Sequence, residues 1–135
     1  MGQQQLLLIV LGVIVVGIAV VVGINLFNAN AVSSNRDAVV SDLNNLGAMA
    51  QQFYKKPISM GGGGNSFDAT ATTGGTKWAI PAQLDTTANG TYTAGVTTQT
   101  VTIDGYGTEI GDDGSTPVHA QATVTATAIT VQSKN

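Results

Sequence analysis

The stretch that decides the fold is MGQQQLLLIVLGVIVVGIAVVVGINLF, residues 1–27, where three glutamines precede an unbroken apolar run. From Leu6 to Ile24 no side chain is polar, and 15 of these 19 residues are Leu, Ile or Val. As a helix the run spans roughly 28 Å, about one hydrocarbon core. Each Leu, Ile or Val favours insertion by about 0.3–0.6 kcal/mol, so the run predicts a helix that is stable in lipid.

Three interpretations of this run remain open. The first is a cleaved secretory signal, for which Ala29-Asn30-Ala31 supplies an A-x-A pattern. Against it, no basic residue precedes the run, and the run exceeds the usual length of about 7–15 residues. The second is a single-pass membrane anchor. The third is one end of a longer assembly helix, and it depends on the residues that follow.

The helical pattern continues beyond the apolar run, because no proline occurs before Pro57. Apolar residues recur at steps of three and four, which predicts one face of an amphipathic helix interrupted by Arg36. This stripe consists of Ala29, Val32, Val39, Leu43, Leu46, Ala50 and Phe53. The opposite face carries Asn35, Asp37, Ser41, Asp42, Asn44, Asn45 and Gln52. We expect one helix over about residues 3–56, with a half-helix at 1–28 that is apolar on all sides and an amphipathic one at 29–56.

Residues 57–135 predict a small β-rich head. The glycines after Met60 indicate a flexible connector over 57–75, and Thr-rich alternation predicts strands from 76 onward. We place strands near Thr76–Ile80, Gly90–Thr97, Thr100–Asp104 and Val118–Val131, with a bulge where the alternation slips at Ala128-Ile129. Turns are expected at 88–90, 104–105 and 111–114. The expected core is Trp78, Ile80, Leu84, Val96, Val101, Ile103 and Val124, packed on Val39, Leu43, Leu46 and Phe53. The fold class is therefore α+β, with a long N-terminal helix and a small antiparallel sheet.

The composition gives no support for catalysis. Charged residues make up 10% of the chain, against about 25% in an ordinary soluble domain. The net charge of −3 and one adjacent basic pair, Lys55-Lys56, argue against a nucleic-acid partner. With no Cys and His119 as the only His, we expect no metal, no cofactor and no catalytic residue.

Two polar motifs have alternative interpretations. Asp112-Asp113-Gly114-Ser115 is interpreted as an acidic turn, with calcium binding as the alternative. Asn89-Gly90-Thr91 matches an N-glycosylation sequon, although β propensity explains the abundance of Thr equally well.

The segment QLLLIVLGVIVVGIAVVVGI, residues 5–24, runs without a break into an amphipathic half-helix and a β-rich head. This arrangement resembles type IV pilins and the pseudopilins of type II secretion, over about the first 56 residues. The resemblance implies a homopolymeric helical filament at the cell surface, built on bundled apolar helices. It also implies insertion in the inner membrane before assembly, methylation, and pilus assembly machinery as a partner.

The resemblance implies an assembly interface on the apolar half-helix, and one of its positions departs from the family. The interface would comprise Met1, Gln5, Leu6, Leu7, Leu8, Ile9, Leu11, Ile14, Ile18, Ala19 and Gly23. Family members usually carry a glutamate where this chain has Gln5, and a neutral amide cannot form the ion pair attributed to that glutamate. Gly17 and Gly23 are candidates for a stretch that loses helical order in the filament.

The expected function is the major subunit of an extracellular filament used for adhesion or surface motility. The alternatives are a membrane-anchored surface binding module and a pseudopilin of a type II secretion piston. Because basic residues are sparse, DNA uptake is the least favoured role.

Overall fold

The computed structural model describes residues 2–135, and its first element is one unbroken helix. This helix, α1, runs from Gly2 to Lys55 and contains 54 residues, or roughly 80 Å at the usual rise. The prediction of a single long helix is confirmed. Lys55 lies in the last turn, where a cation complements the carbonyl end, and Pro57 follows directly beyond the helix.

The head is a five-stranded antiparallel meander packed on the second half of α1. The strands are β1 (Thr86–Thr87), β2 (Gly90–Val96), β3 (Val101–Ile110), β4 (Pro117–Val124) and β5 (Ile129–Ser133). Their order in the sheet is the order in the sequence, so each strand pairs with the next along the chain. The predicted α+β class is therefore confirmed.

Two predicted strands are wrong. The segment Thr76–Ile80 forms no strand, only an isolated bridge between Lys77 and Asp68. The segment Val118–Val131 is two strands, β4 and β5, joined by a tight hairpin in which the Thr125 N–H donates to the Ala128 carbonyl at 2.9 Å. The slip in alternation therefore marks a chain reversal and not a bulge, because a reversal also resets which residues face the core.

The predicted turn at Asp104-Gly105 is also wrong, because both residues lie inside β3. Gly105 faces the helix, and a Cβ there would lie 2.9 Å from atoms of Tyr92 and Val39. Glycine is thus needed for close approach of the helix to the sheet, and not for a turn. The turns predicted at 88–90 and 111–114 are confirmed as the β1–β2 and β3–β4 connections.

The core lies between α1 and the inner face of the sheet. Val39, Leu43 and Leu46 are at most 2% exposed, and Phe53 packs partly buried against the same cluster. Of the expected head residues, Trp78, Val101, Ile103 and Val124 are buried, and Ile80, Leu84 and Val96 are partly buried beside them. The prediction missed the buried residues Phe67, Tyr92, Val118, Ala120 and Ala122.

The glycine-rich segment, expected to be a flexible connector, is hydrogen-bonded to the end of α1. The N–H groups of Gly63, Gly64 and Asn65 donate at 2.7–2.9 Å to the carbonyls of Phe53, Lys56 and Tyr54. These carbonyls have no partner within the helix, so the segment caps the helix end. A Cβ on Gly62 would collide with the Lys56 carbonyl, which explains why the segment needs glycine here.

Candidate functional site

The first half of α1 is an apolar surface without a partner in the single chain. Seventeen large apolar side chains between Leu6 and Phe27 are 51–78% exposed. The largest apolar patch on a typical monomer covers about 300–600 Å². A helix that is apolar on all sides for 19 residues exposes a far larger apolar area. By length and composition α1 can cross a membrane, and none of its most apolar window is buried. In the single chain, no other described residue covers this half.

The predicted assembly residues lie on this exposed half, except Met1, which is outside the described residues. Leu7, Leu11, Ile14 and Ile18 follow one another at steps of four, three and four, so they share a face. Ala19 and Gly23 are four apart and form the small-xxx-small pair that lets helices approach closely. The other predicted members are Gln5, Leu6, Leu8 and Ile9, all of them exposed.

The glycines of this half have no role in the single chain. A Cβ added at Gly12, Gly17 or Gly23 would meet nothing within 4 Å. Each glycine nevertheless weakens a helix by about 1 kcal/mol relative to Ala. α1 is helical through all three positions, so the expected loss of helical order at Gly17 and Gly23 stays a prediction about the filament.

Asn35 fastens the helix to the head, whereas the sequence placed it on the exposed face. Its Nδ2 donates to the Asn89 carbonyl at 2.9 Å, and its Oδ1 accepts from the Thr108 N–H at 3.0 Å. Thr108 lies where the β3–β4 register is irregular, between Tyr106 and Ile110. Asn35 thus satisfies backbone groups that the sheet leaves unpaired.

Asp42 is a second α1 residue that binds the head, although the sequence placed it on the polar face opposite the apolar stripe. Its Oδ2 accepts from the Tyr92 hydroxyl at 2.6 Å, from Asn89 Nδ2 at 3.0 Å and from Thr87 Oγ1 at 3.3 Å. Burial, together with the hydrogen bond to the Asp42 carboxylate, raises the pKa of Tyr92 far above its ordinary value. The Asn89 amide nitrogen, the atom that a glycan would modify, is directed into this network.

Arg36 accounts for the interruption in the apolar stripe. Its Nη2 donates to Asp112 Oδ2 at 2.7 Å and to the Asn135 carbonyl at 2.9 Å. Two residues near the C-terminal end of α1 also bind the head. Gln51 donates to the Thr125 carbonyl at 3.1 Å, and Tyr54 donates to Gln99 at 2.9 Å. Polar contacts therefore fix the head to α1 along the whole second half of the helix.

The acidic turn is organised by its own hydrogen bonds. The Asp113 carboxylate accepts from the Thr116 hydroxyl and from the N–H groups of Thr116 and Ser115, which lower its pKa well below the ordinary value. Asp112 is engaged by Arg36. Among residues 2–135 no group of three or more His, Cys, Asp or Glu side chains could hold a metal ion.

His119 lies on the outer face of the sheet, as expected from the Thr/Gln side of its strand. Its Nε2 is 3.0 Å from Asp104 Oδ1, and its ring stacks on Tyr106 with centroids 4.5 Å apart. Gln121 donates to the same carboxylate oxygen at 2.8 Å. These contacts form a cross-strand polar cluster on the outer face of the sheet.

Comparison with protein-family models, with curated proteins and with solved structures gave no match to this chain.

Proposed function

We propose that this chain is the major structural subunit of a type IV pilus-like filament at the cell surface, used for adhesion or surface motility. The single observation that supports the proposal most strongly is continuity. One unbroken helix carries an apolar half with no partner and a half to which the head is fastened. The head therefore has one fixed geometry relative to the apolar half, which a regular polymer requires.

In this proposal the apolar halves bundle into the filament core and the heads form the outer shell. The contact is head-to-tail and does not close on itself, which produces a fibre rather than a ring. Before assembly the apolar half lies in the inner membrane. Moving it into the bundle costs little, because lipid tails and the packed core are similarly apolar. The involvement of pilus assembly machinery is inferred only from the resemblance to type IV pilins.

The three glycines support the proposal because the single chain does not need them. In a membrane helix, Gly is tolerated because it lets the backbone of a neighbouring helix approach closely. An Ala at Gly12, Gly17 or Gly23 would meet no atom within 4 Å and would strengthen the helix. The small residues are thus better explained by contacts between copies than by the fold of one chain.

A membrane-anchored binding module remains the second candidate. It is favoured by a cavity of about 320 Å³ between α1 and the head, lined by Asp42, Met49, Gln52, Leu84 and Tyr92, among others. A tethered module, however, gains reach from a flexible linker, and none separates the head from the apolar half. A pseudopilin shares every feature of the helix and differs from a pilin in filament length.

Electron microscopy of the protein assembled in its membrane, and of cells that express it, tests the proposal. Micrometre-long filaments are expected for a pilin and only short ones for a pseudopilin. The filament proposal would be overturned if the purified chain stays monomeric in detergent and the cells that express it bear no filaments.

Gln5 provides a sharper test of the assembly chemistry. Its exposed amide can only hydrogen-bond in an interface, so Gln5→Ala should raise the protein concentration needed for assembly by about tenfold at most. Gln4→Ala is the matched control, one residue away in the same glutamine run. Complete loss of filaments in Gln5→Ala alone would contradict a neutral, non-essential role for this position.

A further inference from the structure

The last strand of the sheet, β5, is an edge without the usual protection. The meander leaves β1 and β5 at its two edges, and β1 is only two residues long. The five residues of β5, Ile129–Ser133, contain no charge and no proline, and they pair with β4 in regular register. Natural proteins shorten, charge or bend their edge strands, because an open edge is a template for another strand.

The register shows which backbone groups of β5 point outward. The Thr125 N–H donates to the Ala128 carbonyl and the Lys134 N–H to the His119 carbonyl, at either end of the β4–β5 ladder. In an antiparallel ladder, hydrogen-bonded residue pairs alternate with pairs that are not hydrogen-bonded. Counting inward from these two end bonds, the residues of β5 that bond to β4 are Thr130 and Gln132. The N–H and C=O groups of Ile129, Val131 and Ser133 therefore face away from the sheet, where no other described segment pairs with them.

We propose that two copies of this chain join edge to edge through antiparallel pairing of β5 with β5, centred on Val131. In this register Ile129 of one copy faces Ser133 of the second copy, and Val131 faces its own counterpart. These are the residues whose backbone groups point outward, so each pair exchanges two hydrogen bonds. The two sheets become one ten-stranded sheet, and the interface is self-complementary as a two-fold contact requires.

The side chains of β5 suit this pairing. Ile129 and Val131 are half-buried on the helix side and extend the apolar inner face toward the second copy. Thr130 and Gln132 are exposed on the outer face and lie opposite each other across the two-fold axis. Lys134 would face Ala128 of the second copy, so the pairing brings no like charges together.

The pairing also fixes the relative direction of the long helices. Asn35 contacts Thr108 and Tyr54 contacts Gln99, so α1 runs antiparallel to β3 and, therefore, to β5. Antiparallel β5 strands thus place the two α1 helices in opposite directions. Two copies in one membrane cannot pair in this way. The second copy must come from a facing membrane or from a filament of opposite polarity.

The two heads have room to overlap between two facing membranes. Gly47 lies beside Ile129 and Arg36 beside Asn135, so Val131 is level with α1 near Asp42. From that level α1 extends roughly 20 Å to its end in the head and roughly 27 Å back to the apolar run. The end of each α1 helix therefore stops short of the apolar run of the opposing copy. The contact concerns the heads and does not depend on polymerisation of the apolar halves.

Full-length chain in lipid nanodiscs, at no more than one copy per disc, tests the pairing by sedimentation velocity. We expect two-disc particles whose fraction rises with protein concentration. Ser133→Pro removes an outward N–H without removing a bond to β4, and it should lower the association constant by about tenfold or more. Ser133→Ala is the matched control, because it loses the same hydroxyl, keeps the N–H and should associate like the unmodified chain.

Disulfide trapping tests the register, since the chain has no cysteine of its own. When discs carrying Thr130→Cys are mixed with discs carrying Gln132→Cys, the mixed disulfide should exceed both self-disulfides. Thr93→Cys, exposed on the same face but in β2, should give only background cross-linking.

The proposal is overturned if single discs persist up to about 100 μM protein, a very weak association by the usual scale. It is equally overturned if folded Ser133→Pro forms two-disc particles as readily as Ser133→Ala, or if Thr93→Cys cross-links as well as the mixed pair. If Ser133→Pro fails to fold, the cysteine experiment decides alone.

Discussion

The contact between Tyr92 and Asp42 gives the most informative test of how the head is fixed to the helix. Tyr92 is 3% exposed, and its hydroxyl donates to the Asp42 carboxylate at 2.6 Å. Tyr92→Phe removes this bond and leaves Asp42 with its two other donors, Asn89 and Thr87. A hydrogen bond to a charged group contributes about 1.5–3 kcal/mol. Because two donors remain, we expect the free energy of unfolding at pH 8 to fall by about 1.5 kcal/mol.

The pH dependence of this loss has a definite sign. Burial and the Asp42 carboxylate raise the pKa of Tyr92 far above 10.0, so the folded chain keeps the phenol proton where the unfolded chain releases it. The stabilisation is complete below pH 10 and is lost as the pH rises further, at up to about 1.4 kcal/mol per pH unit. Tyr92→Phe cannot titrate. The difference in free energy of unfolding between the unmodified chain and Tyr92→Phe should therefore shrink above pH 10 and disappear near pH 11.

Denaturant unfolding of the full chain in detergent measures both effects. Trp78 is the only tryptophan and is 6% exposed, so its fluorescence reports unfolding of the head. Tyr106→Phe is the control, since Tyr106 is 40% exposed and should change the stability at pH 8 by less than about 0.5 kcal/mol. A difference between the unmodified chain and Tyr92→Phe that stays constant from pH 8 to pH 11 would refute this account of the contact.

Two further substitutions test the packing of the helix on the sheet by the same unfolding measurement. Leu43→Ala empties a fully buried position on α1 and should cost about 2–5 kcal/mol, and a cost below about 1 kcal/mol would mean that the helix does not pack here as described. Gly105→Ala places a Cβ 2.9 Å from Val39 and Tyr92 and should cost about 1–3 kcal/mol by overpacking. Gly95→Ala, whose Cβ would meet one atom at 4.0 Å, is its matched control, and equal losses at the two glycines would contradict the close approach.

The long helix was the most predictable element. Its period and the absence of proline before Pro57 are local properties, and they predicted one helix over about 3–56 where α1 spans Gly2–Lys55. The apolar stripe also predicted which residues pack on the head, since Val39, Leu43 and Leu46 are buried. Hydrophobic periodicity succeeds here because one side of the helix meets one sheet.

The head was predicted less well, because short Thr-rich strands carry weak local signals. Alternation found β2 and the start of β3 but merged β4 with β5, since the hairpin at 125–128 contains none of the usual turn residues. The Asp104-Gly105 pair has the composition of a turn yet lies within β3. Turn chemistry and close packing both select glycine, and the sequence does not distinguish them.

The sequence by itself determined the apolar half of α1, the amphipathic half and the β-rich class of the head, because each follows from the periodicity of neighbouring residues. Only the tertiary structure decided that Asn35 and Asp42 fasten the head and that β5 is the open edge. Asn35 bonds to Thr108, 73 positions away, and Asp42 to Tyr92, 50 positions away. A polar residue on a helix looks the same in sequence whether its partner is water or a distant backbone group, so the folded chain alone reveals these contacts.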